Sequence, residues 1–228
     1  MTHRAPAAET RMGMRPRRRP RRTAEQSREQ ILRAATAEFA AHGLAGGRIS
    51  RIVRNARTNP RMIYEHFGSK SALYVATLEA ALGELRADEL TLDVEHLDPL
   101  EGLLQLFEFM NDHFERNPHL VSLLRSENMM KARYMKTSRR ISEMSSPVLS
   151  MTTRLLARGN ADGRLAVDID PLRLYVMIAA LCQFHMANVY TLSAEFEHDL
   201  SQPDWRARRR ADARRMLAAY LTSKEARP

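Results

Sequence analysis

The 228-residue chain carries 36 Lys and Arg against 27 Asp and Glu, a net charge of +9, and 44% of its residues are apolar, enough to core two unequal domains. No apolar run approaches the ~18 uninterrupted residues of a membrane span, and no apolar signal region follows the arginine-rich N-terminus, so a soluble, cytoplasmic protein with no membrane contact is expected. A single cysteine, Cys182, excludes an intramolecular disulfide framework, and no His, Asp, Glu or Cys set has the spacing of a metal site, so neither metal nor cofactor is expected.

The charge is unevenly divided. Residues 1–74 hold 16 Lys and Arg against 5 Asp and Glu, a net of +11, whereas residues 75–228 hold 20 against 22, a net of −2. A basic N-terminal third is the electrostatic footprint of a polyanion partner, because cationic side chains displace condensed counterions from phosphates. Nucleic acid suits it better than a membrane surface, since Arg15 to Arg22 has no broad apolar face opposite its charges.

Residues 1–22 contain three prolines and no helical periodicity and read as a disordered arginine-rich arm. Thr23 with Gln26 resembles a capping box, after which Ile31, Leu32, Ala35 and Phe39 recur at helical spacing until Gly43 supplies a stop. Ile49, Ile52, Val53 and Ala56 make a short second helix. A third begins at Asn59-Pro60, a good N-cap followed by the residue that tolerates the first helical position, and runs through Ile63, Tyr64 and Phe67 to Gly68. Ser69 caps a fourth helix, with Leu73, Val75, Leu78, Leu82 and Leu85, that ends near Asp88 and connects a domain at 23–74 to a second one at 75–228.

In the second domain, Asp98-Pro99 opens a helix with Leu103, Leu106, Phe107, Met110 and Phe114, stopped at Asn117-Pro118, and a further helix runs from His119 to Met130. Residues 131–146 give no clear pattern. Ser146-Pro147 starts a helix that ends between Gly159 and Gly163, Asp170-Pro171 starts a strongly apolar helix from Leu172 to about Thr191, and Pro203-Asp204 precedes a last helix with Met216, Leu217 and Tyr220. Nothing reads as a strand. The expected fold is all-α: an N-terminal three-helix helix-turn-helix domain followed by a C-terminal helical bundle for ligand sensing and dimerisation.

Two short helices around a tight turn, the second starting in polar and cationic residues, form a DNA-binding helix-turn-helix whose second helix enters the major groove. Arg57, Thr58, Asn59, Arg61 and Met62 sit at the exposed start of that helix. Arginine reads guanine bidentately, asparagine reads adenine, and Met or Thr contacts a thymine methyl, so the set is capable of base discrimination. Tyr64 and His66 suit phosphate contacts, as does Lys70 beside the amides of the fourth helix. Arg17, Arg18, Arg19, Arg21 and Arg22 of the arm are expected to reach the adjacent minor groove, against the alternative of a solvated tail.

At these positions the chain resembles the TetR family. The run Ile52-Val53-Arg54-Asn55-Ala56, the run Ile63-Tyr64-Glu65-His66-Phe67-Gly68-Ser69-Lys70-Ser71-Ala72-Leu73, and Ile31, Leu32, Ala34, Ala35, Phe39 and Gly43 in the first helix follow the family's order and spacing over about residues 27–74. The resemblance implies that Tyr64 and Lys70 meet the DNA backbone and that a ligand separates the two DNA-binding domains of a homodimer. Three positions depart from the pattern: Arg57 stands where a turn glycine is usual, Arg48 where a threonine caps the second helix, and Val53 where alanine is common. The second domain, through Asn117-Pro118-His119, Glu127-Asn128, Arg133-Tyr134, Asp170-Pro171 and Asn188 with Thr191-Leu192, resembles more loosely the branch containing the pyrimidine-utilisation regulator, which implies its fold and not its ligand.

Phe107, Met110, Phe114, Met144, Met151, Met177 and Phe184 are the candidate ligand-binding residues, with a Met-rich core as the competing reading. Glu127 and Arg125 are placed to orient a polar effector or, alternatively, lie at the surface or in pairs. The arginines between Arg206 and Arg215 read as a solvated face of the last helix. Expected partners are operator DNA, an unidentified small-molecule effector and a second copy of the chain. The expected function is a sequence-specific repressor released by its effector, with an effector-independent architectural DNA-binding protein as the alternative. No Gly-rich phosphate loop and no nucleophile with a nearby base suggest an enzyme.

Overall fold

The computed structural model describes residues 23–144 and 146–223, and among them the secondary structure is entirely helical. The arm residues Arg17, Arg18, Arg19, Arg21 and Arg22 lie outside the described residues. Helix α1 (Ala24–Gly46) starts in the expected capping box, with Thr23 and Gln26 each accepting from the other's backbone N–H. Gly43 interrupts it at φ 61° and ψ 179°, a conformation costly for a residue with a Cβ, but one more turn follows to Gly46.

Helices α2 (Ile49–Ala56), α3 (Pro60–Phe67) and α4 (Lys70–Glu89) complete the N-terminal unit. Ile31, Ala35, Phe39, Ile52, Ala56, Ile63, Leu73, Tyr74 and Leu78 form its core, as the apolar spacing required. That core is not closed by residues 23–74 alone. Leu123, fully buried, reaches into it from helix α6 (Pro118–Met129), and Met130 and Tyr134 pack at its edge. The first half of α4 belongs to this core, while Leu82 and Leu85 in its second half belong to the larger C-terminal one.

The C-terminal bundle is built around α5 (Pro99–Arg116), against which α8 (Pro147–Ala161), α9 (Pro171–Ala187) and α11 (Pro203–Thr222) pack. The arginines of α11 are not simply solvated. Arg210 pairs with Glu108 and Asp112, and Arg214 with Glu101 and Glu108, so two of them tie α11 to the acidic side of α5. Residues 131–144 contain a 3-10 turn (Met135–Thr137) and a short helix α7 (Arg139–Glu143), the local structure that periodicity did not resolve.

The expected continuous helix from Leu172 to Thr191 is broken. A bend of 66° separates α9 from α10 (Val189–Glu195). The cause is local: the Asn188 side-chain amide donates to the Phe184 carbonyl at 2.8 Å and caps α9, while Arg125 donates to the freed Ala187 carbonyl at 3.1 Å. Among the described residues no single helix is long and apolar enough to cross a membrane.

Candidate nucleic-acid interface and cavity

The helix-turn-helix rests on α1. Arg48 makes no side-chain cap for α2, and its role is taken by Glu38 of α1, a buried carboxylate that accepts from the Arg48 N–H at 2.8 Å and from Arg51 Nε at 2.7 Å. Burial alone would raise its pKa. The hydrogen bonds from Arg51 and from the Arg48 backbone, with the Arg51 charge, outweigh that and hold the carboxyl below its ordinary 4.5. Sequence reading missed Glu38, because an acidic residue on a helix otherwise lined with Ile31, Ala35 and Phe39 looks like any polar position.

The turn is tight: the Arg57 N–H donates to the Arg54 carbonyl and the Thr58 N–H to that of Val53. Arg57 itself is left-handed, φ 48° and ψ 50°, the conformation that explains why glycine is usual there. Asn59 caps α3, its Oδ1 accepting from the Met62 N–H at 3.0 Å. Bidentate reading of adenine needs that same oxygen, so the cap competes with the expected base contact of Asn59. Arg57 and Arg61 are exposed, Thr58 and Met62 half-buried, and together they form the outer end of the helix. Arg61 folds along it, with Nε 2.7 Å from Glu65, but the pair is solvated and its opening costs little. Sequence reading did not foresee this partner, although the i, i+4 spacing signals it.

Tyr64 is half exposed, and Lys70 sits in the first turn of α4 beside its Ser69 cap, whose hydroxyl accepts from the Ala72 N–H at 3.0 Å. Tyr64 and Lys70 thus occupy the outward side expected of backbone contacts. His66 does not. It is half-buried and its Nε2 is sequestered without a partner, so that nitrogen is turned away from any phosphate. A hollow lies between the start of α1 and the turn, lined by Thr23, Ser27, Arg57, Thr58, Asn59 and Met62, which adds Thr23 and Ser27 to the residues at this face.

The candidate ligand residues are not brought together. Phe107, Met110 and Met151 are buried in the core with Leu103, Leu155 and Ile178. Glu127 is spent on structure: one oxygen accepts from the N–H groups of Tyr134 at 3.1 Å and Met135 at 3.0 Å, holding a loop in which Lys131 and Ala132 are both left-handed. Met177 and Phe184 stand on the outer surface of α9, 42% and 61% exposed. The helix is apolar around most of its circumference, so hydropathy did not reveal that Leu174, Ile178, Cys182 and His185 form the buried arc.

Phe114 borders a cavity of about 310 Å³. It lies between the end of α5, the outer side of α6, the α9–α10 bend and the start of α11, lined by Phe114, Val121, Arg125, His185, Tyr190 and Arg206 among others. His185 is buried, its ring 6.3 Å from that of Trp205, and burial followed by the charges of Arg209 and Arg206 lowers its pKa to about 4. Cys182 is buried and its thiol pKa rises to about 12, which fits packing rather than chemistry.

A capped recognition helix presenting cationic and polar side chains, carried on a two-core helical chain, defines a helix-turn-helix DNA-binding protein. Residues 31–77 match the family model described as bacterial regulatory proteins, tetR family, and residues 99–217 that of the tetracyclin repressor-like C-terminal domain. The chain is 33% identical over 186 residues to the HTH-type transcriptional repressor NicS of Pseudomonas putida, covering 80% of this chain and 88% of that protein. It is 36% identical over 108 residues to the HTH-type transcriptional repressor SCO4008 of Streptomyces coelicolor, covering 47% of this chain and 53% of that one. The crystal structure of the transcriptional regulator SCO4942 from Streptomyces coelicolor superposes with a TM-score of 0.61 at 25% identity, over 84% of this chain and 96% of that one. The chain belongs to the TetR family: it is a DNA-binding transcriptional regulator and not an enzyme.

Proposed function

We propose that the protein is a homodimeric repressor that a small-molecule effector, bound in the α5–α6–α9–α11 cavity, releases from operator DNA. One observation carries the reading: α6 is shared between the cavity and the DNA-binding unit. Pro118, Val121, Ser122 and Arg125 line the cavity, while Leu123 is buried in the N-terminal core and Ser126 faces Gly43 closely enough that a Cβ there would lie 3.3 Å from its hydroxyl. A ligand that displaces α6 therefore displaces α1 and the recognition helix with it. Thr58, Arg61 and Met62 read bases in this arrangement, and Tyr64, Lys70 and the turn residue Arg57 hold phosphates.

The architectural alternative draws support from the burial of Phe107, Met110 and Met151 among the core residues of the bundle, where a ligand was expected. The deciding measurement is DNA affinity, by fluorescence anisotropy on a duplex that the protein itself selects from a random library, with and without a broad metabolite library. At least one metabolite is expected to weaken binding by about 5- to 150-fold, the usual range of allosteric coupling. Affinity unmoved by every compound would favour the architectural reading.

A further inference from the structure

The cavity wall carries more information than its position. Phe114, Val121 and Tyr190 supply apolar surface, and two cations, Arg125 and Arg206, face the same space. Among the described residues neither has a carboxylate within salt-bridge distance, in contrast to Arg210 and Arg214 on the same helix as Arg206, which are both paired. Arg125 spends one donor on the Ala187 carbonyl and keeps the rest of its five-donor fork. The wall also holds one acid, Glu115, which makes no ion pair among the described residues, so the two arginines leave the wall with a net positive charge.

One buried polar atom of the wall has no hydrogen-bond partner: Nδ1 of His185, a residue only 5% exposed that lines the cavity. His185 is neutral at pH 7, so the excess positive charge belongs to the arginines. Arg125 is exposed and Arg206 half-buried, and two guanidinium groups on one concave wall with no carboxylate paired to either favour an anion between them. We propose, resting on the effector-release reading above, that the cavity takes a small organic acid. Its carboxylate lies between Arg125 and Arg206 and its apolar body lies against Phe114, Val121 and Tyr190. A cation of the same size is repelled, and a neutral amide forgoes the charge-assisted hydrogen bonds.

Trp205 is the chain's one tryptophan and its ring adjoins His185, so its emission reports on the cavity. The full chain is titrated with benzoate and hexanoate, and with benzamide and benzylamine as neutral and cationic counterparts, at constant ionic strength. At least one of the two acids is expected to change the emission saturably and to bind about tenfold or more tighter than benzamide, with benzylamine silent. Arg206→Gln or Arg125→Gln raises the acid's Kd by about tenfold or more, and Arg208→Gln, an exposed neighbour off the cavity wall, leaves it unchanged. Circular dichroism confirms that each variant folds, and either cavity arginine suffices for the test. The proposal is overturned if neither acid saturates below about 10 mM, a partner subunit filling the cavity included, if benzamide binds as well as benzoate, or if both cavity variants retain the parent Kd. DNA anisotropy on the same samples separates the two readings. An acid that binds without weakening DNA affinity leaves the anion site standing and removes effector release, whereas a neutral metabolite that weakens DNA binding through the cavity does the reverse.

Discussion

Arg57 carries the clearest conflict between local conformation and residue type. Its φ of 48° places a β-carbon and a long side chain in the left-handed region, at a cost of about 1–2 kcal/mol relative to glycine. Glycine loses more freedom on folding, which offsets part of the gain. Arg57→Gly is therefore expected to raise thermal stability by about 1 kcal/mol, or roughly 2–4 °C for a chain of this size, while lowering DNA affinity and reducing the salt slope of log K by about 0.9 for the lost phosphate contact. Calorimetry and a salt series of DNA titrations check the two halves. A variant with lower Tm would show that the Arg57 side chain supports the turn, and an unchanged slope would remove it from the DNA interface. The position was legible in the sequence as a departure from a pattern. Its φ was not, because nothing in the residue type itself announces a left-handed turn.

Between elements, the caps at Thr23, Asn59, Ser69, Asp98, Ser146 and Asp170 were readable, since each satisfies a free helix N–H by local chemistry. Long-range ties were not. Glu38 reaching from α1 to the start of α2, Glu127 holding the 134–135 backbone, and Arg125 taking the Ala187 carbonyl each depend on residues that only the fold brings together. The cavity was not legible for the same reason: Phe114 could be read as an apolar helix position, but Arg125, His185 and Arg206 come to the same wall from three other helices. The Glu38 tie has a pH signature. Its folded pKa is depressed, so its contribution is fully present above the unfolded value near 4.5 and is lost as pH falls through the folded value. Glu38→Ala is expected to destabilise the chain by about 1–3 kcal/mol at pH 7, because Arg51 and the Arg48 N–H lose their acceptor, and by clearly less at pH 4. Thermal melts of both proteins at the two pH values test this. An equal deficit at both would mean that the residue acts through packing and not through its charge.

The whole molecule presents one surface that a single chain leaves unfinished. Leu172, Val176, Met177 and Phe184 are exposed along one arc of α9, at 54%, 56%, 42% and 61%, and Met216 on α11 is exposed at 64%. Apolar side chains spaced along one helix arc form a continuous stripe, and its burial against a second copy is how a helical dimer of this architecture is built. Two copies joined there carry two recognition helices, and a palindromic site requires these to fall about one helical turn, ~34–36 Å, apart along the duplex. Dimerisation and DNA affinity are then linked: a monomer holds one half-site and loses the benefit of the second. Phe184→Asp places a charge on the most exposed residue of the α9 stripe without touching the buried core, since Phe184 stands outside it. The variant is expected to sediment as a monomer at micromolar concentration and to lose most of its affinity for a two-half-site duplex, while its weak binding to an isolated half-site is unchanged. Analytical ultracentrifugation with anisotropy on the two duplexes reads both quantities. A variant that remains dimeric with full affinity would place the subunit contact on another face. A variant that is monomeric yet binds the two duplexes as the parent does would separate dimerisation from operator recognition.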